Sequence, residues 1–343
     1  MNLGLTVRLR VAWLLAALLL CAPLAASAQV RLQLVAARDH IEGSFVGNQA
    51  VYADKDRIYL ASFEGKLFVL ARDRSANFPL VETVQVSSAP LTAVRGDGKL
   101  LYVSAMDGQL RVYRKDPTLQ LAWAATLSDT GLSSLALQGR EVYVARGQAN
   151  LAADEGHVYL NELNEGDTAL ELDGTDFGVD LVYGQAFVTG TGIYNRANGK
   201  PVGVLPAAAG RNIYVDRKLL ALSTPGCCGS GIALFDPETL AALQTVPRTS
   251  TNTALRNGRW LVGGTEAGTV DVFDLGRSPS PLVSSVDLRQ ATGHTGADDI
   301  EIRALWSDSN DMLVFAASSW GNQFTKSPTL PSFFVLELVP RQK

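Results

Sequence analysis

Apolar and polar positions alternate along short runs of this chain, and the runs come in pairs. Residues 57–72 read RIYLASFEGKLFVLAR, residues 100–115 LLYVSAMDGQLRVYRK and residues 259–274 RWLVGGTEAGTVDVFD. Residues 219–236 (LLALSTPGCCGSGIALFD) follow the same plan, and 157–165 (HVYLNELNE) follow part of it. Each full-length example is an alternating run, a turn ending in Gly, and a second alternating run. A period of two sends successive side chains to opposite faces of a strand. A short acidic-Gly or Ala-Gly turn between two such runs makes a hairpin.

The turn glycines are Gly65, Gly108, Gly156, Gly192, Gly231 and Gly268, spaced by 43, 48, 36, 39 and 37 residues. That period suits a four-stranded unit of about 40–45 residues. One apolar segment precedes each hairpin, such as APLTAVRG at 89–96 or TNTALRN at 251–257. Another follows, such as LVETVQV at 80–86 or LVSSVDL at 282–288. The four strands are a to d. In the seventh unit, residues 299–306 are strand a, 312–317 b and 333–339 c, and no residues remain for d. Residues 30–35 are an unassigned strand that can supply it by pairing with the C-terminal strand. Such closure hides free sheet edges. The sequence therefore predicts an all-β fold: one seven-bladed β-propeller of four-stranded blades over residues 29–343, closed by an N-terminal strand that completes the last blade. The fourth unit, about 176–206, is the least distinct, and helix signal is nearly absent.

The first 28 residues do not belong to this pattern. Arg8 and Arg10 precede an apolar run at 11–20, and Ala26-Ser27-Ala28 supplies a small-x-small cleavage site. The run is about half the length of a membrane span, so residues 1–28 read as a secretory signal peptide. The mature protein is then periplasmic or secreted. Its removal leaves 28 basic against 34 acidic side chains, moving the formal charge from −4 to −6. This balance offers no attraction for nucleic acid, and no later run is long enough to span a membrane. Cys21 leaves with the leader, so Cys227 and Cys228 are the remaining cysteines. A chain of this length buries its own core and needs no disulfide framework.

The hairpin pattern, as in YVSAMDGQLRVYRKDPTLQLAWAATL at 102–127, resembles the repeats of the PQQ-like (quinoprotein-like) and YVTN/WD40-like propellers of bacterial envelopes. The resemblance covers most of the mature chain and implies a blade, not an activity. It also implies that ligands sit on the top face, where the b–c and d–a loops lie. The longest such loops are 146–156, 318–331 and 289–298. The candidate ligand-binding residues there are His40, His157, His294, Asp298, Asp299 and Trp320. His40 and His294 flank the same blade, with Glu42, Asp298 and Asp299 nearby. Surface histidines and a polar turn account for these residues without a metal, and we assign none. The resemblance does not imply bound PQQ here. Quinone dehydrogenases of that class carry a cysteine pair early in the chain, and this pair lies late.

Cys227 and Cys228 sit in P-G-C-C-G-S-G, the b–c loop of the fifth unit. Adjacent Cα atoms lie about 3.8 Å apart, while ordinary disulfides want roughly 4.4–6.8 Å. A bond between them is a strained ring, which the flanking Gly226 and Gly229 accommodate. The expected pairing is a structural vicinal disulfide. A redox pair and a metal-ligating pair remain open beside it. The sequence lacks G-x-S-x-G, H-E-x-x-H, a phosphate-binding loop and a spaced C-x-x-C. The functional expectation is a monomeric, non-catalytic propeller without cofactor, binding an envelope protein or a small-molecule ligand on its top face. The alternative is a periplasmic enzyme: a redox protein using Cys227 and Cys228, or a lactonase or hydrolase using His294, Asp298 and Asp299.

Overall fold

The computed structural model describes residues 30–343, except 39–40, 42, 46, 48, 130, 139–140, 147–156, 162–169, 174–178, 184–185, 190–191, 196–200, 205–211, 217, 224–230, 249–250, 295–299, 308–311, 321–330 and 341–343. Between 157 and 213 it describes almost only backbone pairing. After β1 (Val30–Arg38), the strands fall into consecutive groups. The first is β2 (Val51–Ala53), β3 (Arg57–Ala61), β4 (Lys66–Ala71) and β5 (Leu80–Gln85). The second is β6 (Leu91–Gly96), β7 (Leu100–Ala105), β8 (Gln109–Arg114) and β9 (Gln120–Thr126). The third is β10 (Leu132–Gln138), β11 (Glu141–Arg146), β12 (His157–Asn161) and β13 (Leu170–Asp173). The fourth is β14 (Val179–Tyr183), β15 (Ala186–Thr189), β16 (Gly192–Asn195) and β17 (Pro201–Val204). The fifth is β18 (Asn212–Val215), β19 (Leu220–Ser223), β20 (Ile232–Phe235) and β21 (Ala242–Val246). The sixth is β22 (Thr251–Asn257), β23 (Trp260–Thr265), β24 (Thr269–Asp274) and β25 (Leu282–Asp287), followed by the single turn α1 (Leu288–Ala291). The last is β26 (Ile300–Ser307), β27 (Leu313–Trp320) and β28 (Phe333–Pro340).

Each group is one four-stranded antiparallel sheet, and the last is completed by β1, giving the order β1-β28-β27-β26. The all-β expectation holds, and so does the pairing of the two chain ends: Val30 faces Pro340 and Leu34 faces Leu336. The helical turn was not expected. Asp287 caps it by accepting the N–H groups of Arg289 and Gln290. The hairpin glycines Gly65, Gly108 and Gly268 have φ of +74°, +75° and +74°, a conformation that a side chain strains.

First strands of neighbouring sheets lie against one another: β2 on β6, β6 on β10, β10 on β14, β14 on β18, β18 on β22, β22 on β26, and β26 on β2. The alternating side chains explain this. Where side chains are described, a first strand packs toward both neighbours: Val94 of β6 lies in a cluster with the first sheet and Ala93 in one with the third. Ile300 and Ile302 of β26 lie close to Gly268 and Gly264 of the sixth sheet, where a methyl group would collide with them. On the other side, Phe315 and Phe333 stack with ring centroids 6.2 Å apart, and Phe78 meets Phe315 edge-on. Side chains of that size each contribute about 1.5–3 kcal/mol when fully buried. Trp306 of β26 reaches Tyr52 of β2, at 4.9 Å between centroids, and Arg95 of β6 covers the same indole at 5.3 Å. Arg74 adds a two-pronged ion pair to Glu337 at 2.7 and 2.8 Å. This pair links the first sheet to the last.

Candidate functional site

The two ends of the sheets are built differently. At the lower end, where first strands turn into second and third into fourth, carboxylates are consumed by their own turns. Asp54 accepts the N–H groups of Asp56 and Arg57, Asp97 those of Lys99 and Leu100, and Asp216 those of Lys218 and Leu219. These are Asx turns, in which the side chain replaces a backbone acceptor. Cations from the next sheet clamp two of them: Lys115 Nζ on Asp54 at 3.0 Å and Arg256 Nη1 on Asp216 at 2.7 Å. Burial alone would raise the Asp54 carboxyl. The Lys115 hydrogen bond and charge, with the two turn N–H groups, outweigh it and hold the group below the usual range. Burial and the Asp97 charge push the Tyr102 phenol up to about 12. This end is a structural fastening.

The upper end, where second strands turn into third and the chain enters each first strand, also spends a carboxylate in this way, Asp107 accepting Gln109 N and pairing with Arg111 at 2.6 Å, and it carries a further pattern. In five sheets the first strand has one extra residue near its start, skipped by the pairing register. The residues are Thr92, Ser133, Asp180, Asn252 and Arg303. Such bulges bend a strand and re-aim a side chain. All five residues are polar. Thr92 shares a hydrogen bond with Ser104 at 2.8 Å. Arg303 donates from Nε to Ser319 at 2.9 Å and pairs with Glu301 through Nη2, both largely buried. Ser318, Ser319 and Ser332 beside them are fully buried.

The segment entering β2 crosses this end. The main chain of Phe45 donates to Ser318 O at 3.2 Å, and Ser44 N donates to both Glu64 oxygens at 3.1 and 3.2 Å. Gly47 passes so close to Thr92 that a Cβ would lie 1.9 Å from its carbonyl oxygen. Gln49 then pairs in parallel with Ala93. Its main-chain oxygen accepts Val94 N at 3.0 Å, and its side-chain oxygen accepts Leu135 N at 2.8 Å. One residue thereby holds the inner edges of β6 and β10.

Of the residues singled out in the sequence, His294 is the one whose surroundings are described. It follows α1 at the upper end, half buried, and its N–H donates to Arg289 O at 2.9 Å. His157 opens β12 opposite Asp173, and Trp320 ends β27 opposite Ile300. The pairing settles their places in the sheets and not their side chains. Cys227, Cys228, His40, Asp298 and Asp299 lie outside the described residues, as do residues 1–28. Among the described residues no group of three His, Cys, Asp or Glu side chains is placed to hold a metal ion. No helix among them is long and apolar enough to cross a membrane. Sequence reasoning missed Gln49, Glu301, Arg303 and the other bulged residues. A signal exists for some of them: a polar residue inside the apolar start of a first strand, as in LTAV, VDLV and IRAL.

No protein-family model and no curated protein matches the chain. The crystal structure of the computationally designed Ika8 protein superposes with a TM-score of 0.61 at 13% identity, over 89% of this chain and 99% of that one. At that identity the likeness concerns the fold alone.

Proposed function

We propose that the seven sheets are the blades of one β-propeller, closed by β1 and related to the quinoprotein-like and YVTN/WD40-like propellers of bacterial envelopes. The protein is exported, to the periplasm or beyond, and acts as a monomeric, non-catalytic binding module without cofactor. It takes an envelope protein or a small-molecule ligand on its upper face. The cyclic order of contacts between first strands, from β2 through β26 and back to β2, supports the ring. One observation carries the functional reading: in five sheets the first strand enters the upper end with a polar residue at a bulge that no turn requires, beyond the carboxylates that both ends spend on turns and clamps. Function tends to sit where a rigid scaffold presents such groups.

The test is a thermal-shift screen of small carboxylic acids, amides, sugars and quinones against wild type, Arg303→Ala and Lys115→Ala. The expected result is a stabilising compound whose effect is lost in Arg303→Ala and kept in Lys115→Ala. A compound that depends on Lys115 and ignores Arg303 would move the site to the lower face and end this reading. Turnover of a hit, abolished by His294→Ala, would replace it with the hydrolase alternative.

A further inference from the structure

The strand that completes the last sheet is fastened from its first residue. Val30 pairs with Pro340, and the register runs on to Arg38 opposite Phe333. Val30 and Leu32 are 2% and 3% exposed. They belong to one apolar cluster with Val270 and Val272 of the sixth sheet and Leu336 and Leu338 of β28. Leu32 N donates to Ser284 Oγ of β25 at 2.9 Å. At the far end of the strand, Arg38 Nη1 donates to Asn77 O, in the turn between β4 and β5, at 2.6 Å. Docking of β1 therefore ties the sixth, last and first sheets together. The small-x-small site Ala26-Ser27-Ala28 lies directly before this strand, and Val30 is the second residue beyond the Ala28–Gln29 bond.

We propose that removal of the leader and docking of β1 exclude each other: the leader is cut from an unfolded chain, and the docked strand then seals the site. This rests on the export reading above. A peptidase holds its substrate extended on both sides of the bond it cuts, so it acts on backbone that is free of other pairing. Here the second residue beyond the bond already stands in the sheet, with its side chain buried. In the cut, water adds across the Ala28–Gln29 peptide bond, leaving a carboxylate on Ala28 of the leader and an amine on Gln29 of the mature chain. A signal peptidase of the export membrane supplies the catalysis. A chain that folded before export would keep β1 paired and its leader attached. Closure of the last sheet is thereby the step that follows processing, and the fold itself sets the order.

The experiment compares the full-length precursor with one that carries a flexible Gly-Ser spacer of about ten residues between Gln29 and Val30. Each is given to purified signal peptidase in mild detergent, once diluted straight from urea and once after refolding. Tryptophan fluorescence reports the folded state, and mass spectrometry locates the cut. Straight from urea, both precursors should be cut after Ala28. After refolding, the native precursor should be cut at least about tenfold more slowly, because cleavage then waits on opening of the strand. The spaced precursor should keep its rate. Equal rates for the two refolded precursors, fast or slow, would overturn the seal. Absence of a cut after Ala28 in both unfolded precursors would instead end the export reading, and the inference with it.

Discussion

The side-chain oxygen of Gln49 accepts the main-chain N–H of Leu135 at 2.8 Å, across 86 residues of sequence. The pair joins the segment entering β2 to the first strand of the third sheet, passing over the second. Gln49 is 3% exposed, and its main-chain oxygen is also used by Val94. An inner-edge N–H that would otherwise face inward without a strand is thereby satisfied.

Gln49→Ala should lower stability by about 1–3 kcal/mol, the usual cost of leaving a buried donor without its acceptor. Gln49→Met keeps the bulk of the side chain without its acceptor and should cost nearly as much. Urea unfolding monitored by tryptophan fluorescence measures both. A near-neutral Gln49→Met would mean that packing of the side chain, and not the Leu135 bond, matters at this site.

Arg248 and Asp271 form an asymmetric ion pair. Asp271 is fully buried, accepting Arg248 Nε and Ser285 Oγ, each at 2.5 Å, while Arg248 is 37% exposed. Removing the cation strands a buried charge, which costs about 3–5 kcal/mol. Removing the anion releases a guanidinium that can reach water. Arg248→Ala should therefore destabilise more than Asp271→Asn, which keeps a partner for Ser285. The reverse order in urea midpoints would contradict this asymmetry.

Several carboxyls give the stability a defined acid limb. The Arg259 hydrogen bonds hold Asp274 below the usual carboxylate range, and Arg74 does the same for Glu337. Asp54 and Asp107 are lowered despite burial. A carboxyl depressed in the folded state adds stability above its unfolded value of about 4, and that stability fades as pH falls through the folded value. The urea midpoint should be level between about pH 5 and 7 and drop below about 4, less steeply in Asp274→Asn. Tyr102 runs the other way: its neutral form is favoured by folding, and its contribution is lost between about pH 10 and the folded value of about 12.

Much of the fold was legible because a strand announces itself locally. Two-residue alternation and the hairpin glycines Gly65, Gly108 and Gly268 placed strands to within a few residues. The lone strand at 30–35 and the short last unit pointed to each other for want of partners. The upper end was legible only as a location. Gln49, Glu301 and Arg303 gain their meaning from contacts between sheets, and a bulge depends on the register of two strands. Beyond a lone polar residue at the start of a first strand, neither leaves a mark in one segment. The histidines and the cysteine pair attracted notice by rarity, which is a property of composition and not of position. His294 does lie at the upper end, held by its own loop through Arg289.

The central claim is that binding takes place at the upper end of the sheets. The direct measurement is a main-chain amide shift map of the isotope-labelled protein, recorded with the ligand that emerges from the thermal-shift screen. The account expects shifts around Thr253–Ala254 and Ile302–Leu305, with the turns at Asp54–Arg57, Asp97–Leu100 and Asp216–Leu219 unmoved. Shifts confined to those lower turns, or to the exposed outer residues Val81 and Leu121, would contradict it.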